Sequence, residues 1–217
     1  MESKKHQISV KRTAQYYVLG NLAEAKTIWL VLHGYGYAAE FFVKKFNAIV
    51  NENTCVIAPE ALSKFYVNGL DGKVGASWMT KENREEEIDD YLFYLNTLYS
   101  EIVSLRKNKP FKLNVLGFSQ GGATAARWVA QTTAKPDNFI MWASVFPDDM
   151  PFEILKNNNI KSYFLYGDKD VFLTKSRVDL QKQKLQDAGL DIKLIPFFGK
   201  HDIPEAVLLE QVEEFGW

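Results

Sequence analysis

Leu113-Asn114-Val115-Leu116-Gly117-Phe118-Ser119-Gln120-Gly121-Gly122 is the stretch that decides the fold. Its first five residues have strand character and Ala123 to Ala130 is an alanine-rich helix former, so it reads as strand, sharp turn, helix. Gly117, Ser119 and Gly121 form the G-x-S-x-G pattern of a nucleophile elbow. Small residues flank the serine because a strained turn must bring strand and helix backbones close together. The strain lifts the serine hydroxyl into the open. A glycine-rich turn without chemistry has the same bare pattern, so the flanks must separate the two readings.

Upstream, Thr27-Ile28-Trp29-Leu30-Val31-Leu32 is a continuous apolar run closed by His33-Gly34, as expected of a central strand covered on both faces. Ile8 to Val10 and Gln15 to Leu19 suggest an opening antiparallel pair that extends one sheet edge. Glu40 to Val50 carries Phe41, Phe42, Phe46, Ile49 and Val50 at helical spacing, and Thr54 to Ala58 is a short buried strand stopped by Pro59. Glu60 to Thr80 shows no sustained period and reads as a long loop. Ile88, Tyr91, Leu92, Leu95, Leu98, Tyr99, Ile102 and Leu105 then trace one helical stripe, with Glu85, Glu86 and Glu87 suiting the positive end of the helix dipole. Downstream, Phe139 to Ser144 and Ser162 to Tyr166 are strand candidates, separated by the irregular segment Pro147 to Pro151. A helix over Lys175 to Ala188, a strand over Asp191 to Phe197 and a helix over Pro204 to Phe215 complete the chain. This alternation predicts an α/β architecture: a mainly parallel sheet with helices on both faces and reactive groups at the carboxyl ends of strands.

Composition narrows the function. At 217 residues and 47% hydrophobic content the chain suits a single domain over residues 1–217. The formal net charge of −1 gives no electrostatic footprint for nucleic acid. One cysteine, Cys55, in an apolar run, excludes an internal disulfide and reads as a buried, inert thiol. With three scattered histidines it also argues against a Cys/His metal cluster. No stretch approaches the roughly 18 apolar residues of a membrane span, and the polar start Met1 to Gln7 lacks the apolar core of an export signal. A cytoplasmic protein without membrane insertion is expected. Trp217 fits either packing at home or a partner contact, and no oligomeric state follows from the sequence.

A serine hydroxyl is a poor nucleophile at neutral pH, so Ser119 needs a base and a group to orient that base. On a strand-turn-helix scaffold of this kind the partners follow in the order Ser, Asp/Glu, His, each from a loop after a later strand. His201 is the only histidine beyond Ser119, and it stands in the loop between the last strand and the last helix. Gly167-Asp168-Lys169-Asp170 offers two carboxylates. Asp170 is favoured because the loop must carry the acid past the strand end, while Asp168 beside Gly167 suits a turn. For the developing oxyanion, the amides of Gln120 and of Tyr35 in His33-Gly34-Tyr35-Gly36 are the candidate donors, with His33 as a loop brace. Tyr35, Phe65, Tyr66, Trp78, Phe146 and Phe198 are candidate walls of a shallow groove.

These residues resemble the serine carboxylesterase/phospholipase family of α/β-hydrolases, which includes acyl-protein thioesterases. His33 to Gly36 is similar to its H-G-x-G, Gly117 to Gly122 to its elbow, and Gly167 to Asp170 to its acid loop. The resemblance runs from about Thr27 to the C-terminus and implies the α/β-hydrolase fold with minimal or no cap. It also implies a Ser119, Asp170, His201 triad, the Tyr35 and Gln120 amides as oxyanion hole, and no cofactor or metal. The family often has Val-Pro after its acid loop where this chain has Leu173-Thr174, and an acidic residue where it has Tyr37-Ala38. Both differences bear on substrate rather than reaction. The expected activity is hydrolysis of a small-molecule ester or thioester through an acyl-enzyme, by an esterase, thioesterase or lysophospholipase. The alternative is a catalytically slow or inactive small-molecule binding module on the same fold.

Overall fold

The computed structural model describes residues 2–150 and 160–217. Pro151, the end of the irregular segment after the fifth core strand, lies outside the described residues. The strands are β1 (Tyr16–Leu19), β2 (Thr27–Leu32), β3 (Thr54–Pro59), β4 (Ser63–Tyr66), β5 (Val74–Ser77), β6 (Lys112–Phe118), β7 (Asn138–Trp142), β8 (Lys161–Gly167) and β9 (Ile192–Phe197). Helices α1 (Ala39–Phe42), α2 (Arg84–Leu105), α3 (Gln120–Gln131), α4 (Lys175–Asp187) and α5 (Glu205–Phe215) alternate with them. Among the described residues, seven strands form one sheet in the order β1-β3-β2-β6-β7-β8-β9, parallel except for β1.

The uninterrupted apolar runs have the reason predicted for them. In β2, Ile28, Leu30 and Leu32 enter one core layer while Trp29 and Val31 enter another. Side chains alternate across a strand, so a strand with apolar residues at every position must be covered on both faces. Tyr91 and Leu95 of α2, Trp128 of α3 and Val178 of α4 fill the first layer, whereas Phe42, Phe46 and Leu208 of α5 fill the second. Trp217 belongs to the second layer, packed edge-on against Trp29 and Tyr163 at centroid distances of 5.9 and 4.9 Å. It packs at home.

From β2 the chain steps outward to β3, then crosses back to place β6 on the other side of β2. The strand order therefore reverses between β2 and β6, and the crevice at their carboxyl ends is where such sheets bind ligands. His33 to Gly36 follows β2 and Ser119 follows β6, so both motifs open onto that crevice.

Four local expectations change. Ile8 to Val10 forms no strand, and Ile8 and Val10 are exposed; β1 pairs instead with β3, antiparallel, Tyr16 opposite Pro59. Alternation alone does not make a strand where no partner edge is offered. The helix expected over 40–50 is one turn of α1 followed by a 3-10 helix over Val43–Ile49. Buried Val43, Phe46 and Ile49 recur every three residues, which suits the tighter helix, while Phe41 turns outward. The loop expected over 60–80 contains the antiparallel hairpin β4–β5. In α2, Glu87 does more than suit the helix dipole: it accepts from Ser63 Oγ at 3.1 Å and holds the hairpin base.

Candidate active site

Ser119 occupies the turn between β6 and α3 with φ 53° and ψ −121°, a conformation that costs a non-glycine residue on the order of 1–3 kcal/mol. The surroundings hold it there. Its N–H donates to Trp142 O at 2.9 Å, and its carbonyl accepts from Gly122 N–H at 2.9 Å and from Ser144 Oγ at 2.6 Å. The flanking glycines are required by close approach: a Cβ on Gly121 would lie 2.3 Å from Leu32 O, and one on Gly117 would lie 2.4 Å from Gly121 O. Ser144, just beyond β7, is a brace that the sequence does not reveal, because nothing in its local pattern points back to the turn.

His201 and Asp170 come to this serine from the loops after β9 and β8. His201 Nε2 lies 2.9 Å from Ser119 Oγ, and its Nδ1 lies 2.6 Å from Asp170 Oδ2. The Asp170 side chain is fully buried and its Oδ1 accepts the amides of Phe172 at 2.8 Å and Leu173 at 3.0 Å. A carboxylate only accepts, so Nδ1 carries the imidazole proton and Nε2 is left to accept from the serine hydroxyl. Asp168 goes elsewhere, accepting Gly199 N–H at 2.9 Å. Gly167 lets the two loops touch, since a Cβ there would lie 2.5 Å from Gly199 O. The imidazole is flanked by Phe118 and Phe172, at centroid distances of 5.0 and 4.9 Å.

The loop after β2 is braced by His33. This side chain is fully buried, donates from Nδ1 to Gly34 O at 2.7 Å and accepts Ala61 N–H at Nε2 at 3.1 Å. Burial lowers its pKa, so the ring is held neutral as a structural brace. Gln120 N–H belongs to the first turn of α3, where amides lack intrahelical partners. Tyr35 N–H likewise donates to no other backbone carbonyl among the described residues. Cys55 takes no part: it is fully buried and burial pushes its thiol up to about 11.

Two of the expected walls are core. Trp78 donates from its indole to His33 O at 2.8 Å and is buried, and buried Phe146 packs against Phe139 and Phe164 at 6.3 Å. Tyr35, Tyr66 and Phe198 are exposed as expected, and Tyr35 stacks on half-buried Phe65 at 5.1 Å. Phe172, exposed against the His201 ring, is a wall that the sequence does not single out. The sequence points to the Gln120 backbone amide and carries no signal for its side chain. That side chain donates from Nε2 to Met79 O at 2.7 Å and accepts Trp78 N–H at 3.1 Å.

A serine whose hydroxyl meets an oriented imidazole at a strained turn is the arrangement of serine hydrolases. The family model for serine hydrolase (FSH1) matches residues 23–211. The chain belongs to the serine hydrolase (FSH1) family. No curated protein matches this chain. Several solved structures share its fold. Esterase PE8 superposes with a TM-score of 0.72 at 18% identity, covering 94% of this chain and 99% of that one. Acyl-protein thioesterase 2 of Zea mays gives a TM-score of 0.70 at 17% identity, covering 94% and 98%. A carboxylesterase of Mesorhizobium loti gives 0.73 at 15% identity, covering 93% and 94%. The α/β-hydrolase fold expected from the motifs is thus the fold of this chain. No described helix is long and apolar enough to cross a membrane.

Proposed function

We propose that residues 1–217 form one α/β-hydrolase domain that cleaves carboxylic esters or thioesters of small to medium acyl groups through an acyl-enzyme on Ser119. The continuous chain Ser119 Oγ to His201 Nε2 at 2.9 Å and His201 Nδ1 to Asp170 Oδ2 at 2.6 Å carries this reading. Ser119 Oγ attacks the carbonyl carbon as its proton passes to Nε2, and the amides of Tyr35 and Gln120 receive the oxyanion. Collapse breaks the bond to the alcohol or thiol, which leaves with the proton from Nε2. Water then attacks the acyl carbon, gives a proton to Nε2, and the free acid departs as Ser119 recovers its hydroxyl. Asp170 stabilises the imidazolium throughout without taking its proton. The two fold neighbours named as an esterase and a thioesterase support both substrate classes. A cytoplasmic location is part of the proposal.

The test compares wild type and Ser119→Ala with a fluorophosphonate probe and with p-nitrophenyl esters and thioester analogues of increasing chain length. Wild type is expected to label and to turn over, with activity in Ser119→Ala lower by at least about 10³-fold. A wild type that neither labels nor turns over sinks the esterase reading and leaves the binding module.

A further inference from the structure

The two candidate oxyanion donors sit on different elements, and a tetrahedral oxyanion is stabilised only if both amides keep their spacing during the reaction. Tyr35 rides on the loop after β2 and Gln120 opens α3 after β6. Beyond the β2–β6 ladder, no hydrogen bond among the described residues joins residues 34–37 directly to residues 119–122. Gly34 and Gly121 pack the two segments against each other, a Cβ on Gly34 lying 3.2 Å from the Ser119 Cβ, but the hydrogen-bonded connection runs through the end of the β4–β5 hairpin. On one side, Gly36 N–H donates to Ala76 O at 2.9 Å and Ala76 N–H donates to Tyr37 O at 3.0 Å. On the same side the Trp78 indole N–H reaches His33 O at 2.8 Å. On the other side, the Gln120 amide grips the next residues: Nε2 donates to Met79 O at 2.7 Å and to Ser77 Oγ at 3.2 Å, and Oε1 accepts Trp78 N–H at 3.1 Å. Ser77 Oγ in turn donates to Met79 O at 2.9 Å.

We infer that the Gln120 side chain is a positioning residue: by gripping Ser77, Trp78 and Met79 it uses the hairpin as a splint that fixes the Gln120 amide relative to the Tyr35 amide. The inference rests on the acyl-transfer reading and adds to it a role for β5 and for a side chain that does not itself touch substrate. An amide side chain suits the task because it meets a backbone N–H and a backbone C=O at once, so it follows the segment as an added strand would. Ala76 and the Trp78 indole touch the first loop, and Ser77, the Trp78 amide and Met79 touch the Gln120 side chain, so a shift at either grip changes the donor spacing directly. The splint is needed in the transition state, when charge develops on the oxygen, more than in the bound ester.

The experiment is steady-state hydrolysis of p-nitrophenyl butyrate by wild type, Gln120→Leu and Ser77→Ala, together with inhibition by a trifluoromethyl ketone that forms a tetrahedral adduct with a serine. Gln120→Leu keeps the backbone amide and the approximate volume but loses every side-chain grip. Its kcat is expected to fall about 10- to 100-fold with KM within about threefold, and ketone affinity to fall by the same factor as kcat. Ser77→Ala removes only the hydroxyl between Gln120 and Met79, and is expected to lose about two- to tenfold in both quantities. A merely structural role would lower the melting temperature without this matched loss. Gln120→Leu with kcat within twofold of wild type, or with a kcat loss unmatched in ketone affinity, overturns the inference. If Gln120→Leu does not fold, Ser77→Ala decides, and unchanged kcat and ketone affinity there overturn it. An active wild type with unaffected variants refutes the splint alone, whereas an inactive wild type refutes the acyl-transfer reading and the splint with it.

Discussion

Replacing Asp170 by asparagine tests the orientation of His201 with almost no change in volume. The carboxylate makes three contacts: Oδ1 accepts the amides of Phe172 and Leu173, and Oδ2 lies 2.6 Å from His201 Nδ1. In the variant the side-chain oxygen must keep accepting the two backbone amides, since turning it away leaves buried donors unpaired at about 1–3 kcal/mol. The amide nitrogen then faces Nδ1. Two donors cannot share that contact, so the imidazole proton moves to Nε2, which points a donor at Ser119 Oγ and cannot take its proton. The side chain at position 170 is fully buried, so bulk water does not reach this contact to restore the old tautomer. A wrong tautomer in an otherwise intact site lowers kcat by about 10⁴-fold, or ~5.5 kcal/mol of transition-state stabilisation. Asp168→Asn is the internal comparison: its carboxylate accepts Gly199 N–H, which an asparagine oxygen also does, so the loss is expected to stay within about threefold. The assay is kcat on a p-nitrophenyl ester for both variants, with urea unfolding to show that each is folded. Asp170→Asn retaining kcat within tenfold of wild type, or Asp168→Asn losing as much as Asp170→Asn is expected to, would show that Asp170 does not set the His201 tautomer.

Three further outcomes follow from the packing and the buried groups. Gly121→Ala should destabilise the protein by at least about 3 kcal/mol in urea unfolding, because its Cβ meets Leu32 O at 2.3 Å. Gly216→Ala, at φ +62° with open space around it, should cost only about 1 kcal/mol, and equal costs would contradict the close approach. His33 has its folded-state pKa lowered from 6.5 by burial, so the unfolded chain binds the proton more readily. Its contribution to stability is complete above that value and is lost as pH falls below it. The urea midpoint should therefore decline between pH 7 and 5, and less steeply in His33→Gln; identical slopes would remove His33 as the cause. Asp149, which partial burial pushes up but hydrogen bonds from Arg127 and Arg84 together hold down at about 2, acts at lower pH and does not confuse that window. Cys55, with its thiol pushed up to about 11, should resist a disulfide reagent at pH 8 until the protein is denatured; modification of the native protein within minutes would contradict its burial.

The residues that were legible in the sequence are those whose own pattern carries their reason. β2, β3 and β6 run apolar without a break because both faces are covered, and Gly117, Ser119 and Gly121 keep fixed offsets because strand and helix backbones meet there. Loop reach favours Asp170 over Asp168 as the acid, and Asp170 Oδ2 lies 2.6 Å from His201 Nδ1. What escaped depends on residues far apart in the chain. β4 and β5 have four residues each, β4 is half-exposed, and their reason for forming lies in Gly36, Tyr37 and Gln120 rather than in their own alternation. Trp78 and Phe146 read as walls because their segments are irregular, yet each packs inward. Ser144 and the Gln120 side chain act across gaps of 25 and 42 residues, which no local pattern records.

The most direct measurement concerns the covalent step. Wild type is mixed with excess p-nitrophenyl butyrate, quenched in acid during the first turnovers, digested and analysed by mass spectrometry. One butyryl group is expected on the peptide carrying Ser119, localised to its hydroxyl and missing from Ser119→Ala. A butyryl group on another side chain, or full turnover in Ser119→Ala, would contradict it.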